Sequence, residues 1–273
     1  MNSVENLIIP REQINYLEYS SDSKTIMNND LNKILQKNIC SDLEKKVLVY
    51  SSGSNIYVLD DKTAHRISCR SKDVYSLCSH NGVLYDGGDY NSIFETLQNK
   101  KIALRNSFIS SLCSHDGVLY DGGLQYGVFE TFSNKNIFSN GSASLCSHED
   151  ILYGSTNCIK NEIYDVLNGE KIISKNEPIG SLCSHKGAMY YSGSFSRTIY
   201  ELSSNEKVAS RHGIIRNLYS FEDNLYDCGY YDCIGDTFKN KKILVENYID
   251  SLNIHLDLIR SCGVPKFFGL PVY

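Results

Sequence analysis

The phrase SLCSHNGVLYDGG, Ser76 to Gly88, returns almost unchanged as SLCSHDGVLYDGG, Ser111 to Gly123. A chain that repeats itself at a fixed period cannot fold as one irregular globule, because every unit poses the same packing problem and must stack on its neighbour. Further copies begin at Ser144 (SLCSHEDILYGS), Ser181 (SLCSHKGAMYYSG), Asn217 (NLYSFEDNLYDCG) and Ser251 (SLNIHLDLIRSCG). Leu77, Leu112, Leu145, Leu182, Leu218 and Leu252 anchor these copies at intervals of 33 to 37 residues. A degraded copy lies around Ile39 to Leu59, and YSSDSKTIM from Tyr19 echoes YSSGSNIYV from Tyr50. The period covers nearly the whole chain. It predicts one domain over 1–273, with repeats starting near residues 39, 76, 111, 144, 181, 217 and 251.

Each unit reads as four short strands. In the unit from Val74, strand a is VYSLCS, and a turn HNG leads to strand b, VLYDG. A loop bearing Gly and Asn precedes strand c, SIFETL, and QNK turns the chain into strand d, KIALR. Asn and Gly supply the left-handed backbone such turns need. No window carries a 3.6-residue apolar stripe over several turns, so no long helix is expected. Even NNDLNKILQKN is assigned as strand, because NKILQKN matches strand d of other units.

Four strands in a unit of about 35 residues, repeated around a ring, is the pattern of a β-propeller. The fold class is therefore all-β, a propeller of four-stranded blades. Seven blades are expected, with eight as the alternative, and closure by strands from both termini. In this scheme the tail offers SLNIH, DLIRS and KFFGL, and NKILQ supplies the fourth strand of the shared blade. Residues 5–38 are then a degenerate repeat that contributes to closure.

The string V-x-S-L-x-x-H-x-G-x-L-Y-x-G-G followed by I-F-E resembles WD-repeat and quinoprotein-type propeller repeats. Phe94–Glu95, Phe129–Glu130, Tyr164–Asp165 and Tyr200–Glu201 stand where such repeats carry Trp-Asp. The chain departs from that pattern in having no Trp, a shorter unit and no Gly-His pair before strand a. Quinoprotein cofactor residues do not map onto it residue by residue, so the resemblance implies no cofactor.

The Cys-x-His pairs Cys78/His80, Cys113/His115, Cys146/His148 and Cys183/His185 invite a zinc reading. Zinc needs four ligands within about 2.0–2.3 Å. Each pair sits on a different blade, so the four cannot share an ion; no metal site is expected. Cys is read instead as a small buried residue and His as a hydrogen-bonding partner of the a–b turn. Asp86, Asp121 and Asp227 follow the strand-b Tyr and are read as caps of the Gly turn. No catalytic triad, phosphate loop or dinucleotide fingerprint occurs, and no catalytic residue is assigned.

The b–c loops carry Tyr90, Tyr126, Phe195, Tyr230 and Tyr231. In a four-stranded blade these loops share a rim with the d–a loops, and the a–b turns lie on the other rim. Recurring aromatics on one rim suit a recognition surface, because Tyr is enriched in binding hot spots. The expected function is a non-enzymatic interaction module that binds a protein or peptide on that rim. A propeller lyase or hydrolase with its site at the channel mouth is the alternative. A net charge of −5 without a basic cluster argues against nucleic acid. Neither a signal peptide nor a membrane span is evident. Ten Cys without an export signal read as reduced thiols, and the expected protein is a cytoplasmic monomer.

Overall fold

The a–b turns decide the local structure. Asn81 and Gly82 have φ of 47° and 75°, Asp116 and Gly117 have 47° and 73°, and Lys186 and Gly187 have 49° and 76°. Two consecutive positive φ values make the two-residue turn whose twist matches that of paired strands, and Gly takes the second position without strain. Val83, Val118 and Ala188 then pair back onto His80, His115 and His185. Hairpins follow one another in this way along the chain, and no helix occurs among the described residues.

The computed structural model describes residues 47–60, 63–156, 161–221, 223–229, 233–239, 241–245 and 251–255. Its first strands are β1 (Val47–Ser52), β2 (Asn55–Asp60) and β3 (Thr63–Cys69). The second unit is β4 (Val74–His80), β5 (Val83–Gly88), β6 (Ser92–Glu95) and β7 (Lys100–Leu104). The third is β8 (Ser111–His115), β9 (Val118–Gly123), β10 (Gly127–Glu130) and β11 (Lys135–Phe138). The fourth is β12 (Ser142–His148), β13 (Ile151–Thr156), β14 (Glu162–Asp165) and β15 (Glu170–Ser174). The fifth is β16 (Ile179–His185), β17 (Ala188–Gly193), β18 (Thr198–Glu201) and β19 (Lys207–Ser210). The sixth is β20 (Ile215–Phe221), β21 (Asn224–Gly229), β22 (Cys233–Asp236) and β23 (Lys241–Val245), and β24 (Ser251–His255) ends the described chain.

These strands form six antiparallel four-stranded sheets. Five are sequential meanders. The remaining sheet, blade 1, has the order β24-β1-β2-β3, so a strand from the C-terminal part is its innermost member. Tyr50 faces Leu252, and Val49 faces Asn253. The inner strands β24, β4, β8, β12, β16 and β20 each contact the next, and β20 returns to β24. The ring is closed at six blades.

The sequence predicts seven or eight blades, and the count is corrected to six. The units near residues 39 and 251 are halves of one blade: the first contributes strands b, c and d, the second strand a. Among the described residues of the tail, SLNIH pairs with β1 as the innermost strand of that blade. Residues 5–38, NKILQ, DLIRS and KFFGL lie outside the described residues.

Each inner strand is buried on both faces. Leu77 packs with Val49, Ile56 and Ile67 of blade 1, whereas Cys78 packs with Ile109, Leu112 and Leu119 of blade 3. Cys113 likewise meets Leu145 and Leu152, Cys146 meets Leu182 and Met189, and Cys183 meets Leu218 and Leu225. Leu therefore faces the preceding blade and Cys the following one. Both side chains fill blade interfaces, one on each face of the inner strand.

The innermost strand of a blade has no further strand to pair with, which leaves backbone N–H groups along its free edge. The SLCSH phrase solves this. The N–H of Leu112 donates to Ser76 Oγ of the blade before (2.8 Å), and those of Leu145, Leu182 and Leu218 donate to Ser111, Ser144 and Ser181 (2.9, 3.0 and 3.0 Å). The second Ser meets the preceding blade's His: His80 Nδ1 with Ser114 Oγ, His115 with Ser147, His148 with Ser184 and His185 with Ser220, at 2.7 to 2.8 Å. The expected His partner, the a–b turn, gives way to the next blade's inner strand. At His80 a turn contact accompanies it, with Nε2 3.0 Å from the Asn81 amide nitrogen. The phrase recurs because every blade must be stitched to its successor.

Candidate functional site

Three of the strand-b aspartates are buried ion-pair centres rather than turn caps. Arg70, at the exit of β3 in blade 1, donates from Nε and Nη2 to both carboxylate oxygens of Asp86 in blade 2. Arg105 and Asp121 repeat this between blades 2 and 3 (2.6 Å each), as do Arg211 and Asp227 between blades 5 and 6 (2.6 Å each). Thr96, Thr131 and Thr237 add a hydroxyl donor to the respective carboxylates at 2.7 to 2.8 Å. Asp86, Asp121 and Asp227 are fully buried. Arg70 and Arg105 also lie over the Phe94 and Phe129 rings at 4.6 Å. A two-pronged Arg–carboxylate pair with further donors on the carboxylate is a favourable way to bury charge. The expectation that these aspartates cap the Gly turn is corrected accordingly.

The other blades change all three residues together. In blade 4 the aspartate position is Gly154, the arginine position Phe138, whose ring lies 5.1 Å from that of Tyr164, and the threonine position Val166; a Cβ on Gly154 would come within 2.5 Å of Val166 Cγ2. In blade 5 the same positions are Tyr191, Lys175 and Leu202. Lys175 Nζ stands 4.8 Å above the Tyr191 ring and donates to Asn205 Oδ1 at 2.9 Å. Tyr191 stacks on Tyr200 at 5.3 Å, as Tyr50, in the aspartate position of blade 1, stacks on Tyr57 at 5.2 Å.

This network decides where the expected rim aromatics point. Tyr90 donates its hydroxyl to Asp86, and Tyr126 donates to Asp121 at 3.3 Å. Burial, with the adjoining carboxylates, pushes both phenols well above their ordinary pKa. Phe195 is different: it is 74% exposed. Tyr230 and Tyr231 lie outside the described residues. Of the five residues singled out from the sequence, two are thus tied to the ion-pair centres and one stands at the surface.

Phe195 borders an opening of about 380 Å³ at the rim of the b–c and d–a loops. Tyr75, Asp89, Phe108, Ser110, Leu124, Ala143, Gly180, Ser194, Ile214, Ile215 and Arg216 complete its lining. Tyr75 meets Phe108 edge-on at 6.1 Å, and Asp89 is paired with Lys72 at 3.4 Å. Tyr75, Ser110, Ala143, Gly180 and Arg216 also line the central channel, a space of about 400 Å³ among the inner strands. The mouth is therefore apolar at its collar and continuous with a polar channel of backbone edges and serines. Sequence reasoning finds the rim and Phe195 but misses Tyr75, Phe108, Leu124, Ile214 and Arg216. Four of these lie in or beside d–a loops or at the start of an inner strand, where the repeated phrase has not yet begun.

On the opposite rim Phe132 covers His80 and Tyr85, and Phe238 covers His185 and Tyr190, with ring centroids 5.6 to 5.9 Å apart. Burial holds His80 and His185 below the ordinary imidazole pKa. It pushes the Cys113 and Cys183 thiols up to about 12, so these thiols are poor nucleophiles and poor metal ligands. Among the described residues no group of three or more His, Cys, Asp or Glu is placed to hold a metal ion.

The architecture makes the chain a six-bladed β-propeller closed by β24, the last of the described strands. It is similar to a chain in the crystal structure of a nidogen/laminin complex, with a TM-score of 0.63 and 12% identity over 78% of this chain and 99% of that one. At that identity the likeness is one of fold. A computationally designed protein, Ika8, superimposes with a TM-score of 0.44 and 10% identity over 76% of this chain and 73% of that one. No protein-family model and no curated protein sequence matches the chain.

Proposed function

We propose that the protein is a non-enzymatic interaction module that receives a protein or peptide partner at the mouth formed by its b–c and d–a loops. The observation that carries this is the collar: exposed Phe195 beside Tyr75, Phe108, Leu124 and Ile214, around an opening of about 380 Å³. Apolar and aromatic side chains around a concave opening, with few polar groups, are what a recognition site requires. Asp86, Asp121 and Asp227 are fully buried and held by Arg and Thr donors, outside the lining of the mouth. Both the WD-repeat resemblance and the similar fold in the nidogen/laminin complex fit a protein-binding role. Among the described residues Cys69, Cys78, Cys113, Cys146 and Cys183 stand as thiols and not as disulfides, in keeping with a reducing, cytoplasmic setting for that role.

The test is capture of partners from extracts of the native cell with purified variants. Phe195→Ser combined with Ile214→Ser should cut the captured partner while leaving the circular dichroism spectrum and melting temperature unchanged. Phe132→Ser combined with Phe238→Ser, on the opposite rim, is the control and should spare it. If the control pair abolishes capture and the mouth pair does nothing, the partner binds the other end of the propeller.

A further inference from the structure

The repeat breaks at one position, and that position is in the throat. In blades 2 to 5 the five letters SLCSH are identical, while the residue before them runs Tyr75, Ser110, Ala143, Gly180. Blade 6 places Arg216 there. These are the residues shared by the mouth and the channel. Stitching one blade to the next uses the Ser, Leu and His of the phrase and not this preceding position, although at Gly180 the blade itself excludes a side chain, because a Cβ would come within 2.7 Å of Ser194 Cα. The variation at this position is spatially ordered. Among the described residues, large side chains stand on blades 2 and 6 and small ones on the three consecutive blades between, so this side of the throat is wider toward blades 3 to 5.

The throat has two chemistries. Its floor is Ser110, Ala143 and Gly180, and its apolar walls include Phe108 and Phe195. At one end stands Arg216, an exposed cation on an inner strand. Among the described lining residues the acidic one, Asp89, is paired with Lys72 at 3.4 Å. A guanidinium has five N–H donors, so Arg216 can take a partner's carboxylate without giving up the interaction it already makes within the chain. Arg is also the residue best shaped to grip a carboxylate.

We infer that the mouth takes a protein loop presenting one large apolar side chain next to an Asp or Glu. The apolar group sits over Ala143 and Gly180, and the carboxylate meets Arg216. This rests on the proposal that the mouth is the binding face, and it adds the chemistry of what enters.

A display library of short disulfide-cyclised peptides, selected on the purified protein, supplies the probes; the selected peptides are then measured as fluorescent ligands. The expected pool pairs a large apolar residue with Asp or Glu. Arg216→Ala should weaken those peptides about tenfold, a usual scale for losing a charge-assisted contact, with Arg216→Lys intermediate. Ala143→Leu should fill the floor and abolish binding. Selected peptides that lack acidic residues, or that bind Arg216→Ala unchanged, yet are lost on Phe195→Ser, would overturn the acidic-loop inference and leave the mouth as the binding face. An empty selection, or peptides indifferent to both Phe195→Ser and Ala143→Leu, would overturn both.

Discussion

Replacing Asp121 by Ala removes one carboxylate from the interface of blades 2 and 3. Asp121 is fully buried and accepts from Arg105 Nε and Nη2 at 2.6 Å, from Thr131 at 2.8 Å and from Tyr126 at 3.3 Å. The Arg105 side chain is only 3% exposed, so its charge is left in the interface without its partner. Breaking a buried pair in this way costs about 3–5 kcal/mol, because the surviving ion has lost its water and keeps only the Asn134 and Leu104 oxygens and the face of Phe129. For a chain of this size that lowers the melting temperature by roughly 6–20 °C. The chain contains its own control. Blade 4 carries Phe138, Gly154 and Val166 at the equivalent positions and closes its interface without an ion pair. The triple change Arg105→Phe, Asp121→Gly, Thr131→Val should therefore recover at least half of what Asp121→Ala loses. Thermal unfolding followed by circular dichroism reads both variants. A single change costing under about 1 kcal/mol, or a triple change as harmful as the single, would refute the view that the penalty is a stranded charge.

Leu112→Ala should cost about 2–5 kcal/mol, since Leu112 fills the interface toward Cys78, while Cys113→Ala should cost about 1 kcal/mol; denaturant titrations of the two variants compare them directly. Acidification should destabilise the fold between neutral pH and about pH 6. Burial lowers the pKa of His65, His80 and His185 in the folded chain, so the unfolded chain binds more protons as pH falls through the ordinary imidazole value of about 6.5. His80→Gln with His185→Gln should flatten the melting temperature's dependence on pH across that window; an unchanged slope would show that the loss comes from other groups.

The fold is legible in the sequence because the propeller repeats its stitching: Ser, Leu, Cys, Ser and His each have a defined neighbour on the next blade. The blade count is misjudged for a reason the anchors already contain. Six leucines mark six inner strands, but the unit near residue 39 has no anchor of its own and completes the blade that begins at Ser251. The ion-pair centres stay hidden because Arg and Asp belong to different units and look unrelated in a repeat alignment. Their constant separation of 16 residues, at Arg70/Asp86, Arg105/Asp121 and Arg211/Asp227, with Thr ten residues further on, is the signal that could have exposed them. Tyr90 and Tyr126 look like surface residues for the same cause: nothing local shows that a buried carboxylate lies beneath them. The mouth is the least legible part, since it is assembled from single residues of five blades that differ from one another.

Closure of the ring at six blades by a single C-terminal strand is tested by cross-linking across β1 and β24. With Val49→Cys and Asn253→Cys the two introduced thiols belong to residues that face each other in the register, a separation that suits a disulfide. Mild oxidation followed by peptide mass spectrometry should find positions 49 and 253 joined, and the shifted pair Val49→Cys with Ile254→Cys should join far less well. Equal cross-linking in the shifted pair, or none in either, would mean that β24 is not the innermost strand of blade 1 and that the ring does not close as described.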